Sequence, residues 1–175
     1  MRWVALLRAV NLGSRNKVPM AVLRKELEAA GYEGVRTYIA SGNVLLEAPP
    51  GKAKLAAALE RLIADSFGVE TTVILRKPSE LTATVERHPF GRKTSETYVG
   101  FLARKPAKAA AARLAEAAGA TERAVLAGAE VYLRLPRGVH SSGLSVARVE
   151  SLLGVPTTLR NWRTVVALTD MAAEA

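Results

Sequence analysis

The sequence predicts an α+β protein made of two tandem ferredoxin-like halves with an extra C-terminal helix. Strand-like and helix-like segments follow the order β-α-β-β-α-β over residues 1–77, and a similar order recurs over residues 96–175. The intervening residues 78–95 are predicted to form a linker helix and a loop. With 175 residues, of which 49% are hydrophobic, the chain can bury a core of this size.

The elements of the first half follow from local patterns. An unbroken apolar run predicts a central strand, and leucines spaced three or four residues apart predict helices that cover one face of the sheet. The other face is expected to receive a ligand or the rest of the chain. The predicted elements are a strand at 1–10, a loop at 11–17, a helix from 19 to 31, strands at 35–39 and 43–47, a helix at 52–66 and a strand at 71–76.

The second half repeats this order and ends in one further helix. Ser145 and Asn161 are residue types that cap helix N-termini, so each is expected to begin a helix. The predicted elements are a linker helix at 78–87, a strand at 97–104, a helix at 106–118, strands at 123–126 and 131–135, a helix ending at 153, a short strand at 155–159 and a helix ending near 171.

The chain is strongly basic, with a formal net charge of +9. Such a balance favours an anionic partner, either nucleic acid or a nucleotide-like molecule, although it also serves solubility. The charge is spread over the chain, because residues 1–76 hold 11 basic and 7 acidic residues and residues 77–175 hold 14 and 9. Glutamine is absent and arginine is frequent, as in thermophiles, and a GC-rich genome produces the same bias.

Several function classes are disfavoured by what the sequence lacks. It has no cysteine and two histidines, so neither a thiolate nor a metal site is expected. No phosphate-binding or nucleophile-elbow motif occurs, so no cofactor and no catalytic residue are predicted. No segment is long and apolar enough to span a membrane, and no secretory leader is visible, so a cytoplasmic location is expected.

Three segments contain candidate anion-binding residues. The loop that leads from the first strand to the helix at Pro19 offers free backbone N–H groups and the helix dipole to an anion. Its asparagines could instead support turns, which is the more common role. The turn at Ser41 and the segment around Arg160 supply further polar groups. Within the second segment, the Arg160 side chain is expected to be freer to bind an anion than its neighbours. The candidates are Arg8, Asn11, Arg15, Asn16, Lys17, Ser41, Asn43, Arg160, Asn161 and Arg163.

These same segments resemble a known family. Residues 5–13 read ALLRAVNLG and residues 16–20 read NKVPM, while residues 37–44 read TYIASGNV and residues 158–165 read TLRNWRTV. In this order they resemble the bacterial domain-of-unknown-function 1697 family. The resemblance implies a two-part α/β fold related to ferredoxin-like units. It implies no established activity and no assigned catalytic residues.

Three functions remain open at this point. The favoured one is a binding module for an anionic ligand. Seven of the candidates are expected to line one electropositive cleft: Arg8, Asn11, Lys17, Ser41, Asn43, Arg160 and Arg163. The alternatives are an enzyme acting on a small phosphorylated or carboxylated substrate, and a structural or dimerising scaffold. The oligomeric state is not predicted.

Overall fold

The computed structural model describes residues 1–174, and over these residues it contains six α-helices and two four-stranded antiparallel sheets. The predicted α+β class is therefore confirmed. The chain divides into two units. Unit 1 comprises Met1–Leu81 together with the residues from Asp170 onward, and unit 2 comprises Thr82–Thr169. The division into a half at 1–77, a linker at 78–95 and a half at 96–175 stays a prediction.

Unit 1 contains one sheet with the strand order β2-β3-β1-β4 and two helices that cover one face of it. The helix α3 begins in unit 1 and continues into unit 2. The elements are β1 (Arg2–Leu7), α1 (Met20–Ala29), β2 (Glu33–Tyr38), β3 (Asn43–Glu47), α2 (Lys52–Phe67), β4 (Val73–Arg76) and α3 (Pro78–Glu86).

Unit 2 has the corresponding strand order, β6-β7-β5-β8. Its last helix, α6, continues into the C-terminal part of unit 1. Short 3-10 turns precede β5 at Thr94–Glu96 and follow β7 at Val139–Ser141. The elements are β5 (Thr97–Leu102), α4 (Ala110–Ala117), β6 (Arg123–Ala127), β7 (Glu130–Arg134), α5 (Val146–Leu153), β8 (Thr157–Asn161) and α6 (Trp162–Ala173).

Both faces of the central strands are buried. In β1, Trp3, Ala5 and Leu7 belong to the core formed with α1 and α2. Val4 and Leu6 alternate with them on the opposite face, and neither is exposed to solvent. That face is therefore not open to a ligand, which is one of the two uses expected for it.

The pairings of the central strands with their two neighbours, β1 with β3 and β4 and β5 with β7 and β8, correspond residue by residue. Val4 of β1 pairs with Arg76 of β4, and Val99 of β5 pairs with Arg160 of β8. In both units the next helix begins two residues after this arginine. Identical residues also occupy equivalent positions at Leu7 and Leu102, Val44 and Val131, Leu46 and Leu133, and Leu75 and Leu159.

The predicted helix starts agree with the structure where a side-chain cap specifies them. The hydroxyl oxygen of Ser145 accepts a hydrogen bond from the Arg148 N–H, and Asn161 Oδ1 accepts one from the Thr164 N–H. The helix expected from Pro106 begins instead at Ala110. The Ala110 N–H bonds to the Ala107 carbonyl three residues earlier, so the preceding turn is tighter than an α-helix.

Candidate functional site

The segment between β1 and α1, here called loop 8–19, is held together by asparagine side chains. Asn11 Nδ2 donates to the carbonyls of Val18 at 2.9 Å and Ala40 at 2.7 Å, while its Oδ1 accepts from the Val18 N–H at 2.8 Å. Asn16 Nδ2 donates to the Ala9 carbonyl at 2.9 Å. These amides therefore satisfy the backbone of the loop.

Loop 8–19 also has an unusual backbone. Ala9, Asn11 and Asn16 all have φ between 50° and 55°, a backbone region that residues other than glycine rarely adopt. Conformations of this kind cost of order 1–3 kcal/mol each and persist only where surrounding contacts enforce them. The asparagine hydrogen bonds supply that enforcement, so these side chains have a structural role.

The turn between β2 and β3 is built in the same way. Asn43 is fully buried, and its Nδ2 donates to the Tyr38 carbonyl and to the Ser41 hydroxyl oxygen, both at 2.9 Å. Gly42 has φ of 83°, and a Cβ added there would lie 2.6 Å from a methyl group of Val10. The turn therefore requires glycine, and its polar side chains bind one another and the backbone.

The basic residues near α1 differ in exposure. Arg8 is half-buried, and its backbone is tied to the neighbouring strand through the Thr71 hydroxyl, which donates to the Arg8 carbonyl at 2.7 Å. Arg15 and Lys17 are exposed and form no ion pair within residues 1–174. The first turn of α1 contains no acidic residue. An anion site at this helix start stays a prediction.

Arg160 is not the free side chain that the sequence suggested. It is 6% exposed, and its guanidinium donates to the Thr158 hydroxyl oxygen at 2.7 Å and to the Leu159 carbonyl at 2.9 Å. Desolvation by burial lowers the pKa of Arg160 to about 10, so it remains charged at neutral pH. Alternation along β8 places it on the buried face of the sheet, which an isolated strand sequence cannot reveal.

A concave site in unit 2 lies where β5 begins and β8 ends. We call it the hydroxyl cleft because four of its side chains carry hydroxyl groups. Its volume is about 330 Å³, within the range of small-molecule sites. The hydroxyl cleft is lined by Thr94, Ser95, Thr97, Tyr98, Asn161, Trp162 and Arg163.

Arg163 supplies the positive charge of the hydroxyl cleft. It is exposed and has no carboxylate partner among the residues that the structure describes. It lies in the first turn of α6, which contains no acidic residue, although cations are disfavoured at this end of a helix dipole. Asn161 cannot assist through its Oδ1, because that atom already caps α6. The cleft can therefore stabilise an anion with Arg163 and hydroxyl donors.

Behind the hydroxyl cleft, His88 orders two of its side chains. The His88 ring lies 4.2 Å from the ring of Trp162, and its Nε2 lies 2.9 Å from the Thr97 hydroxyl oxygen. That hydroxyl donates to the Lys93 carbonyl, so it accepts from His88. Burial lowers the pKa of His88, while a hydrogen bond with the backbone of Gly91 opposes this shift. Trp162 is half-buried.

The ten predicted site residues fall in both units. Seven belong to unit 1 and three to unit 2, so the single cleft expected from the sequence stays a prediction. Asn161 and Arg163 share the hydroxyl cleft, whereas Ser95 and Tyr98, which also line it, and His88 behind it are not among the predicted site residues. The pairing of β5 with β8 places Tyr98 opposite Asn161, which lies two residues before Arg163.

Residues 1–174 show neither a metal-binding cluster nor a membrane-spanning helix. They contain no cluster of three or more histidine and carboxylate side chains that could hold a metal ion. None of their helices has the length and apolarity required to cross a membrane.

Comparison with known proteins gives a family and a structural neighbour. A family model described as "Protein of unknown function (DUF1697)" matches residues 1–132. The conserved bacterial protein SP0830 from Streptococcus pneumoniae has a similar fold, with a TM-score of 0.77, 24% sequence identity and coverage of 98% of each chain. A search of curated proteins finds no match. Since the model matches most of the sequence, the chain belongs to the DUF1697 family of proteins of unknown function.

Proposed function

We propose that this protein is a binding module for a small anionic ligand of nucleotide-like chemistry, held in the hydroxyl cleft. We propose further that its units are tandem ferredoxin-like halves, which act as the scaffold. The matching sheet orders, each antiparallel with two helices on one face, support this second proposal. The site, rather than the scaffold, would determine the ligand.

One observation carries the proposal. Arg163 is an exposed arginine without a carboxylate partner in the described residues, and it lies at the start of α6 inside a cleft with hydroxyl groups. A phosphate group there would interact with the guanidinium and with the positive end of the helix dipole. It would also relieve the unfavourable position of a cation at a helix N-terminus.

A nucleotide-like ligand suits the other walls of the cleft. Tyr98 and the half-buried Trp162 offer aromatic surface on which a base could stack. Such stacking contributes about 1–3 kcal/mol per base. A volume of about 330 Å³ suits a single nucleotide better than an extended strand, so nucleic acid is the less favoured ligand.

The test uses the tryptophan side chains as reporters. The chain has two tryptophans, Trp3 in unit 1 and Trp162 in the hydroxyl cleft. Adenosine 5′-monophosphate is titrated into protein labelled with 15N at the indoles, and the Trp162→Phe variant assigns the two signals. We expect a saturable shift of the Trp162 signal, and Arg163→Ala should weaken binding about tenfold or more.

The matched control is Arg148→Ala. Arg148 is an exposed arginine of α5 in the same unit, and its replacement changes the net charge equally. Equal weakening by both substitutions would reduce the effect to general electrostatics and contradict the proposal. A parallel titration with single-stranded RNA over a salt series tests the nucleic-acid form, because phosphate contacts make affinity fall steeply with salt.

A further inference from the structure

The equivalent region of unit 1, where β1 begins and β4 ends, contains a second concave site. We call it the lysine cleft, and its volume is about 510 Å³. It lies beside the starts of two helices, α2 and α3. The side chains and backbone that define it belong to Trp3, Gly51, Lys52, Lys77, Ser79 and Glu80.

One residue in the wall of the lysine cleft carries a hydrogen-bond donor that lacks an acceptor among residues 1–174. Trp3 is 2% exposed, and its indole Nε1 is buried without a hydrogen-bond partner among residues 1–174. Buried polar groups are almost always paired, so such a donor requires an explanation. Trp3 lines the cleft, so the unpaired donor belongs to a residue in the wall of a site large enough for a small ligand.

Two lysines share the cleft with this donor. Lys77 Nζ lies 5.9 Å from the centre of the Trp3 ring, and Lys77 is exposed and has no carboxylate partner within the described chain. Lys52 is the first residue of α2, whose N-cap Gly51 provides no side-chain cap and whose first turn has no acidic residue. The backbone N–H groups of that turn therefore point outward with a lysine beside them.

One carboxylate moderates the charge and narrows the ligand class. Glu80 Oε2 accepts from the Lys77 N–H at 2.6 Å, and its Oε1 lies 3.6 Å from Lys52 Nζ. With two lysines and one glutamate, the cleft retains a net positive charge. A carboxylate repels a bare anion but accepts hydrogen bonds from hydroxyl groups, so a ligand with both phosphate and hydroxyl groups fits best.

We infer that the lysine cleft is a second binding site, which takes a phosphorylated polyol or sugar. The phosphate interacts with Lys77, Lys52 and the start of α2, an oxygen of the ligand accepts from Trp3 Nε1, and a hydroxyl donates to Glu80. This site is separate from the hydroxyl cleft and does not depend on the function proposed there.

The experiment follows the indole signals of the full chain during titration with glycerol 3-phosphate. We expect a saturable downfield shift of the Trp3 signal, because its N–H gains an acceptor, with little change at Trp162. Lys77→Ala should weaken the affinity at least tenfold. Lys25→Ala, an exposed lysine of α1 in the same unit, should leave the affinity within twofold of the original.

Two outcomes would overturn this inference. One is a Trp3 signal that stays unchanged up to tens of millimolar glycerol 3-phosphate. The other is equal weakening by Lys77→Ala and Lys25→Ala, which would indicate general electrostatics. Titration with inorganic phosphate and with glycerol separates the two ligand groups, and each alone should bind more weakly than the ester. Because Trp162 reports the hydroxyl cleft independently, failure of one site leaves the other measurable.

Discussion

The two units place different chemistry at equivalent positions of one strand arrangement. Trp3 and Tyr98 occupy the same place in the first strand of each sheet, and Lys77 and Asn161 each directly follow the arginine that pairs with Val4 or Val99. Trp3 and Lys77 line the lysine cleft of unit 1, and Tyr98 and Asn161 line the hydroxyl cleft of unit 2. The architecture therefore provides the concave position twice, while the local side chains decide what each position can bind.

The units differ most in the connection between the first strand and the first helix. Unit 1 has loop 8–19, which is stabilised by the amides of Asn11 and Asn16. Unit 2 connects the same elements through residues 103–109, which contain no asparagine. The N-terminal part of the family resemblance, residues 5–13 and 16–20, thus includes the asparagines that stabilise loop 8–19 in unit 1.

The largest expected change in stability comes from replacing Asn11, whose side chain stabilises loop 8–19. Asn11→Ala removes the acceptor of the Val18 N–H and the donor to two carbonyls, so we expect a loss of about 3 kcal/mol in the free energy of unfolding. Urea denaturation followed by Trp3 fluorescence measures it. Asn16→Ala, which removes one exposed hydrogen bond, should cost about 1 kcal/mol or less. Equal costs would contradict the structural role assigned to Asn11.

A second comparison uses the small residues at equivalent positions of the central strands, Ala5 and Gly100. A Cβ added to Gly100 would lie 2.5 Å from Val131 Cγ1, so Gly100→Ala should destabilise unit 2 by about 1–3 kcal/mol through overpacking. Ala5→Gly removes one buried methyl group and should cost about 1–2 kcal/mol. Denaturation followed by Trp162 fluorescence measures the first, and a stabilised Gly100→Ala variant would refute the close packing.

The smallest effect concerns pH and is confined to unit 2. Burial lowers the pKa of His88 below 6.5, so the unfolded chain binds a proton more readily than the folded chain. The contribution of neutral His88 to the free energy of unfolding is complete above pH 6.5. It is lost as the pH falls through the folded-state pKa of His88. Urea midpoints between pH 7.5 and 5.5 should decline less in His88→Gln than in the original protein. Parallel declines would assign the dependence to other groups.

Local sequence patterns predicted the order of elements well, because they are encoded within a few residues. Ser145 and Asn161 cap their helices as expected, since capping joins a side chain to a backbone N–H three residues away. The first strand ends at Leu7, although the apolar run continues to Val10. The left-handed backbone at Ala9 and Asn11 interrupts it, and this backbone depends on contacts with Val18 and Ala40.

The sequence by itself determined the α+β class, the repeated order of elements and the family, because periodicity, caps and motifs are local features. Only the tertiary structure decided that Arg160 is buried, that all four asparagines bind backbone or turn groups, and that Trp3 and Arg163 line clefts. The physical reason is that burial and hydrogen-bond partners depend on residues far apart in sequence. Strand register, which brings such residues together, is established only when the whole sheet forms.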